Sequence, residues 1–273
     1  MNKIHKFTGM ACAMPVEPAG PVRPKLVLLE GNIGSGKSTI LDWLQSHKGL
    51  EILGEPVGLW KDFFEYNLLR LKYYGDVKQE EFLLETIVNL SRMEQLSNAK
   101  GKTDIRIMER SVHSGFNTFV KVSFDNDLIR GLEFRTLYYM YKIFTEGEMG
   151  KLTKPDLILY LRTSPEKCLE RIKKRGRVEE RPITLKYLKQ LHDAHELWLG
   201  KNLEGSPARR WPCPVVIMDG NIEEDSFPQL ITRITEELDR LVGGKAKREK
   251  QWDLDKAIWR WREKKERGED VVD

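Results

Sequence analysis

The sequence predicts a three-layer α/β sandwich: a parallel five-stranded sheet flanked by helices and topped by an arginine-rich lid. Three observations predict it. Short apolar, β-rich runs alternate with helical stretches, as a parallel sheet covered on both faces requires. The first run passes straight into a Gly-rich loop and then into a helix. A dense group of arginines follows a later helix.

The elements are legible in order. Lys25–Glu30 is the first strand, and Ser38–Ser46 reads as the helix after the loop. Glu51–Leu53 is a second short run, leading to Glu55-Pro56. Proline disfavours helix at the preceding residue, so Glu55 belongs to extended backbone at a strand end. From about Glu80 to Ala99, Leu83, Leu84, Ile87, Val88, Leu90 and Met93 recur at helical spacing. Asp104–Met108 reads as a strand ending in Glu109-Arg110-Ser111. Asp156–Leu161 is continuously apolar after its first residue, as a buried parallel strand is. Pro165–Lys174 is a helix with proline at its start, and Val215–Met218 is the last strand.

The 273 residues, 40% of them hydrophobic, suit one globular domain with residues left for tails. The division expected is a flexible extension over 1–24, a domain over 25–243 and a charged tail over 244–273. That tail carries ten Lys/Arg and eight Asp/Glu, and Leu254, Ile258 and Trp261 fall at i, i+4 and i+7. The net charge of +4 is small, which argues against a dedicated binder of polymeric nucleic acid. No apolar run approaches the ~20 residues of a membrane span. Cys12, Cys168 and Cys213 follow no metal-ligand spacing, and ordinary reduced thiols are the simpler reading. Residues 1–24 contain one arginine and no serine, unlike a transit peptide, so a cytoplasmic location is expected, with mitochondrial and nuclear ones left open.

Four motifs carry chemistry. Gly31-Asn32-Ile33-Gly34-Ser35-Gly36-Lys37-Ser38-Thr39 contains the full GxxxxGK[ST] pattern of a P-loop NTPase, between a strand and a helix. Its amides can point at phosphate oxygens, Lys37 can reach the β/γ-phosphates and Ser38 can ligate Mg²⁺. Such a loop calls for ATP or another nucleoside triphosphate. Glu55, at the end of a strand taken to neighbour the P-loop strand, is a candidate base for an acceptor hydroxyl. Glu109 and Arg110 end a strand where open α/β sheets build their sites; the carboxylate suits Mg²⁺ and the arginine suits transferring phosphoryl charge. Arg171, Arg175 and Arg177, followed by Glu179 and Glu180, suit a lid that excludes water from the nucleotide.

Together these motifs resemble the deoxynucleoside kinase family, which includes the deoxycytidine, deoxyguanosine and mitochondrial thymidine kinases and the insect multisubstrate enzyme. The resemblance spans roughly Pro24 to Asp225. It rests on LEGNIGSGKST (Leu29–Thr39), EPV with Trp60, NLL with Tyr73, MERSVHS (Met108–Ser114), YLRTSPE (Tyr160–Glu166), RGRVEE (Arg175–Glu180) and LHDAHELWL (Leu191–Leu199). It implies that Glu55 deprotonates a 5′-hydroxyl, that Arg110 stabilises that site and the phosphoryl charge, and that Glu109 and Ser38 serve Mg²⁺. Tyr73 and Glu180 would bind the deoxyribose 3′-hydroxyl, and Trp60 and Phe119 would line and stack the base. The segment Asp219–Asp225, with Glu223, would flank the adenine of ATP. Family members are commonly dimers through helices, so a homodimer is expected.

The chain departs from the family where the base is read. The family's glutamine on the long helix aligns with Glu85; a one-residue gap would place Leu84 there instead. An ionised carboxylate only accepts hydrogen bonds. It matches the adjacent N1–H and N2–H donors of guanine and suits thymine poorly. Arg92 is seven residues on, sharing a helix face with Glu85, and Gly115 stands where selective relatives have an aspartate. A purine-leaning pocket with Arg92 paired to Glu85 is the expectation. Two other functions fit parts of the pattern: a nucleoside-monophosphate kinase, and a non-catalytic relative serving as a structural subunit. EPV with MERS and RGRVEE favour a nucleoside kinase over the first; retention of Lys37, Ser38, Glu55, Glu109, Arg110 and the lid arginines argues against the second.

Overall fold

The computed structural model describes residues 23–45, 49–70, 77–99, 103–200, 213–223 and 226–243. The extension over 1–22, the charged tail over 244–273 with its apolar triad, Tyr73 and Asp225 lie outside the described residues.

The strands are β1 (Lys25–Gly31), β2 (Leu50–Leu53), β3 (Ile105–Glu109), β4 (Leu157–Arg162) and β5 (Val215–Asp219). All pair in parallel, in the order β2-β3-β1-β4-β5. After β1 come α1 (Lys37–Gln45) and, beyond β2, α2 (Val57–Lys61) and the long α3 (Val77–Asn98). Between β3 and β4 the chain forms α4 (Val112–Ser114), a π-helical stretch (Gly115–Val120), α5 (Lys121–Asp125), α6 (Gly131–Thr145) and α7 (Gly147–Thr153). Then come α8 (Pro165–Arg175), a 3₁₀ turn (Val178–Glu180), α9 (Leu185–Leu199) and, after β5, α10 (Phe227–Leu241).

Alternation along the strands feeds two cores. Val27, Leu29, Ile107 and Leu159 pack with Ile40 and Leu44 of α1 and with Ile231 and Ile234 of α10. Leu26, Leu28, Met108, Ile158 and Tyr160 face the other way, against Leu96 of α3 and Leu199 of α9. The three layers and five parallel strands are those expected.

One expectation is corrected. The strand that leads to Glu55 does not neighbour the P-loop strand: β3 lies between them, and β2 is the edge. Two short strands in succession cannot reveal that a third, inserted later in sequence, separates them in space. The glutamate also sits two residues beyond the end of β2, on the segment that precedes α2.

Candidate active site

β1, β3 and β4 end at one cleft of about 1210 Å³, lined in part by the loops that follow them. The P-loop forms its floor. Gly34 and Gly36 have φ of +73° and +104°, and a Cβ on Gly34 would meet the Cys168 carbonyl oxygen at 2.7 Å. Only glycine takes both that conformation and that approach cheaply. Lys37 Nζ donates to the carbonyls of Gly31 (3.2 Å) and Asn32 (2.8 Å) and to Ser35 Oγ (3.3 Å). Asn32 Nδ2 ties the loop to the Leu188 carbonyl of α9 at 2.9 Å. Burial pulls the Lys37 ammonium down to about 8, and the nearby Arg110 cation acts in the same direction.

The end of β3 supplies the next wall. Glu109 accepts from Ser38 Oγ at 3.1 Å. Burial and then the neighbouring Glu55 raise its carboxyl above the usual range. Two hard oxygen donors this close fit Mg²⁺, which commonly takes one or two protein ligands and fills its shell with water and phosphate. No group of three or more His, Cys, Asp or Glu suited to a metal occurs among the described residues.

Arg110 is buried with φ of +59°. For a non-glycine residue that costs roughly 1–2 kcal/mol, so its surroundings must hold it. Its Nη1 donates to the Gly31 carbonyl at 2.9 Å, its Nε lies 3.0 Å from Glu55 Oε1, and its guanidinium sits 4.7 Å from the Phe119 ring centroid. Arg92 Nη2, from α3, donates to the same Glu55 oxygen at 2.7 Å. Burial alone would raise the Glu55 carboxyl; Arg110, Arg92 and Lys37 outweigh it and hold it below the usual carboxylate range. Arg92 therefore pairs with Glu55, not with Glu85 as its helix face suggested. A shared face puts two residues side by side, but the segment after β2 brings a carboxylate across to Arg92 from another element.

Beyond Glu55 the cleft is lined by Trp60, Glu85, Arg92 and Phe119. Trp60 Nε1 donates to Ser91 Oγ at 3.0 Å, and its ring lies 5.6 Å from the Arg92 guanidinium. Glu85 is only 2% exposed. Gly115 is buried but does not line the cleft: it opens the π-helical stretch, and a Cβ there would overlap Asn89 Oδ1 of α3.

Arginines of α8 and of the turn after it line the other side. Arg171 donates to the Ser35 carbonyl at 2.9 Å and to the Ile222 carbonyl at 3.1 Å. Arg175 grips both oxygens of Glu180 at 2.6 and 2.7 Å, and Arg177 lies 3.7 Å from the same carboxylate. Glu223 lines the cleft and accepts from Lys167 at 3.0 Å, whereas Asp219 lies off it, its carboxylate bound by Asn221. Ile33, Ser35, Ser38 and Thr39 line the same space, while Gly31 and Asn32 contribute through their carbonyls. Sequence reasoning passed over Lys61, which lines the cleft and reaches Glu179 of the lid turn at 3.6 Å. A lone lysine after an aromatic residue carries no signal of that contact.

Comparison with known proteins agrees with this geometry. The family model described as deoxynucleoside kinase matches residues 27–243. Mitochondrial thymidine kinase 2 of Homo sapiens is 34% identical over 179 residues, 66% of each chain. Deoxycytidine kinase of Mus musculus is 32% identical over 253 residues, 84% of this chain and 97% of the relative. Mitochondrial deoxyguanosine kinase of Xenopus laevis is 34% identical over 222 residues, 74% of this chain and 82% of the relative. A match running from the P-loop strand through the last described helix means that the chain belongs to the deoxynucleoside kinase family of enzymes.

Proposed function

We propose that the protein transfers the γ-phosphoryl group of ATP to the 5′-hydroxyl of a deoxynucleoside, giving the 5′-monophosphate of nucleotide salvage. The observation that carries this reading is the clamp on Glu55: a carboxylate kept ionised by Arg110 and Arg92, in the same cleft as Lys37. An ionised carboxylate can take the hydroxyl proton as the bond to phosphorus forms. Arg110 bridges Glu55 and the P-loop, so it can steady the base and offset phosphoryl charge together. Ser38 and Glu109 would hold Mg²⁺, which neutralises charge on the phosphates when bound. Arg171, Arg175 and Arg177 would close over ATP, with Glu223 and the Asp219–Asp225 segment toward its adenine. Tyr73 and Glu180 would take the 3′-hydroxyl.

The base pocket supports a purine preference. Glu85 offers acceptors to adjacent N–H donors, and Trp60 and Phe119 supply faces for stacking. A homodimer is part of the same reading: α3 and α6 pack together and leave Leu83, Leu90, Leu132, Tyr139 and Ile143 exposed. No described helix is long and apolar enough to cross a membrane.

Incubation with labelled ATP and either deoxynucleosides or their monophosphates tests the reaction: label should pass to the nucleosides. Transfer only to monophosphates would replace the reading with a nucleoside-monophosphate kinase. In a panel of four deoxynucleosides, deoxyguanosine should show the highest kcat/KM; thymidine in first place would sink the purine assignment.

A further inference from the structure

Glu30 has no part in the chemistry described so far, yet it stands where an apolar residue would be expected. It ends the run KLVLLE, pairs in register with Tyr160, and is fully buried. By strand alternation it shares the face of Leu26 and Leu28, which pack in an apolar layer. Burial pushes its carboxyl up to about 7, against the opposing pull of Ser111, Arg110, Ser114 and Arg92. An acid kept at that cost calls for a task.

Its contact indicates the task. Ser111 Oγ donates its one proton to Glu30 Oε1 at 2.7 Å. The same oxygen accepts from the amides of His113 (3.2 Å) and Ser114 (3.3 Å), while Ser114 Oγ accepts from the Ser111 amide at 3.0 Å. Ser111 is thus fixed from β1 on one side and from the start of α4 on the other. Immediately before it sits Arg110, in its left-handed conformation. The amide of Arg110 is held by the Leu29 carbonyl at 3.0 Å, one residue before Glu30. The strained residue is therefore pinned at its own amide and at the next side chain, both times by β1.

We propose that Glu30 is a positioning residue for phosphoryl transfer: through Ser111 it holds Arg110 in the conformation that sets its guanidinium between the Gly31 carbonyl and Glu55. The catalytic consequence rests on the kinase reading; the position of Arg110 does not. A misplacement of about 1 Å at such a group can cost about 10²-fold in rate.

The test uses the full chain with Glu30→Ala, Glu30→Gln and Ser111→Ala. The Arg110 Nε–H resonance is followed by ¹H–¹⁵N spectroscopy of the free protein and assigned with Arg110→Lys. It should be sharp in the parent, lost or shifted alike in Glu30→Ala and Ser111→Ala, and restored in Glu30→Gln, whose side-chain oxygen still accepts from Ser111. With substrate, kcat should fall about 10²-fold in both alanine variants, while KM for ATP moves by only a few-fold. The double variant should be no worse than either single one, and Glu30→Gln should recover most of the loss. A parent resonance unchanged in the alanine variants overturns the proposal, as does its loss in Glu30→Gln. Should Glu30→Ala not fold, Ser111→Ala breaks the same link from the other side and decides alone. Absence of nucleoside phosphorylation by the parent would overturn the kinase reading and leave the resonance to decide on Glu30.

Discussion

At Glu55 two guanidinium groups reach one carboxylate oxygen, at 2.7 Å from Arg92 and 3.0 Å from Arg110. Together with Lys37 they offset the cost of burying the acid, and they also fix where its proton-accepting lone pairs point. Replacing Glu55 with Gln should leave the fold intact and lower kcat by roughly 10²–10⁴-fold, with KM values little changed, in steady-state assays. A variant with full kcat would remove Glu55 from the chemistry. Lys37→Ala should abolish transfer while thermal unfolding shows a folded protein; undiminished transfer would remove Lys37 from the mechanism. Trp60 and Arg92 stack at the same corner, so Arg92→Lys should weaken nucleoside binding even with the charge kept, because an ammonium lacks the planar fork.

At the scale of elements, Val112–Asp125 runs helical from the Ser111 N-cap with a π-helical middle. Its first residue there, Gly115, lies against Asn89 of α3, whose Nδ2 is tied to the Glu85 carbonyl at 2.7 Å. The Asn89 side chain leaves no room for a Cβ at this position, which explains the glycine. Gly115→Ala should destabilise the protein by about 1–3 kcal/mol in chemical denaturation, and Asn89→Ala in the same chain should recover part of that loss. Additive effects would show that the two sites do not touch. Close by, His113 is buried between the Tyr141 hydroxyl (3.0 Å) and the Thr153 carbonyl (3.1 Å), so α4 is locked to α6 and the end of α7.

For the whole molecule, three buried groups set opposing pH dependences. Burial lowers His113 to about 4 and His195 to about 3, while the unfolded values lie near 6.5. Below 6.5 the unfolded chain binds protons that the folded chain refuses, so stability falls as pH falls. Glu30 works the other way: with about 7 folded against 4.5 unfolded, its contribution is lost as pH rises through that window. Over about pH 4.5–6.5 the two histidines and Glu30 therefore pull stability in opposite directions. Glu30→Gln should steepen the acid loss of stability, measured by denaturant unfolding across that range; a shallower loss would contradict the assignment. At the outer surface, Leu132 and Tyr139 of α6 are 78% and 67% exposed, more than a solvent-facing helix needs. Leu132→Asp with Tyr139→Asp should shift the protein toward monomer in sedimentation, and a parent that is already monomeric would end the dimer reading.

The fold class, and which residues gather at the P-loop end of the cleft, were legible in the sequence because both are written in local patterns. GxxxxGKS names its own backbone geometry, and apolar runs between helices leave a parallel sheet as the economical arrangement. ERS and RGRVEE marked Arg110 and the lid for the same reason, since each motif is contiguous. Whatever depends on neighbours distant in sequence came from packing instead. It interposed β3 between β1 and β2, turned Arg92 from Glu85 to Glu55, placed Gly115 against Asn89 rather than in the cleft, and gave the buried Glu30 its Ser111 partner. Those contacts join residues 26 to 81 positions apart, and strand order and side-chain partnership at that separation follow from packing, which no short motif encodes.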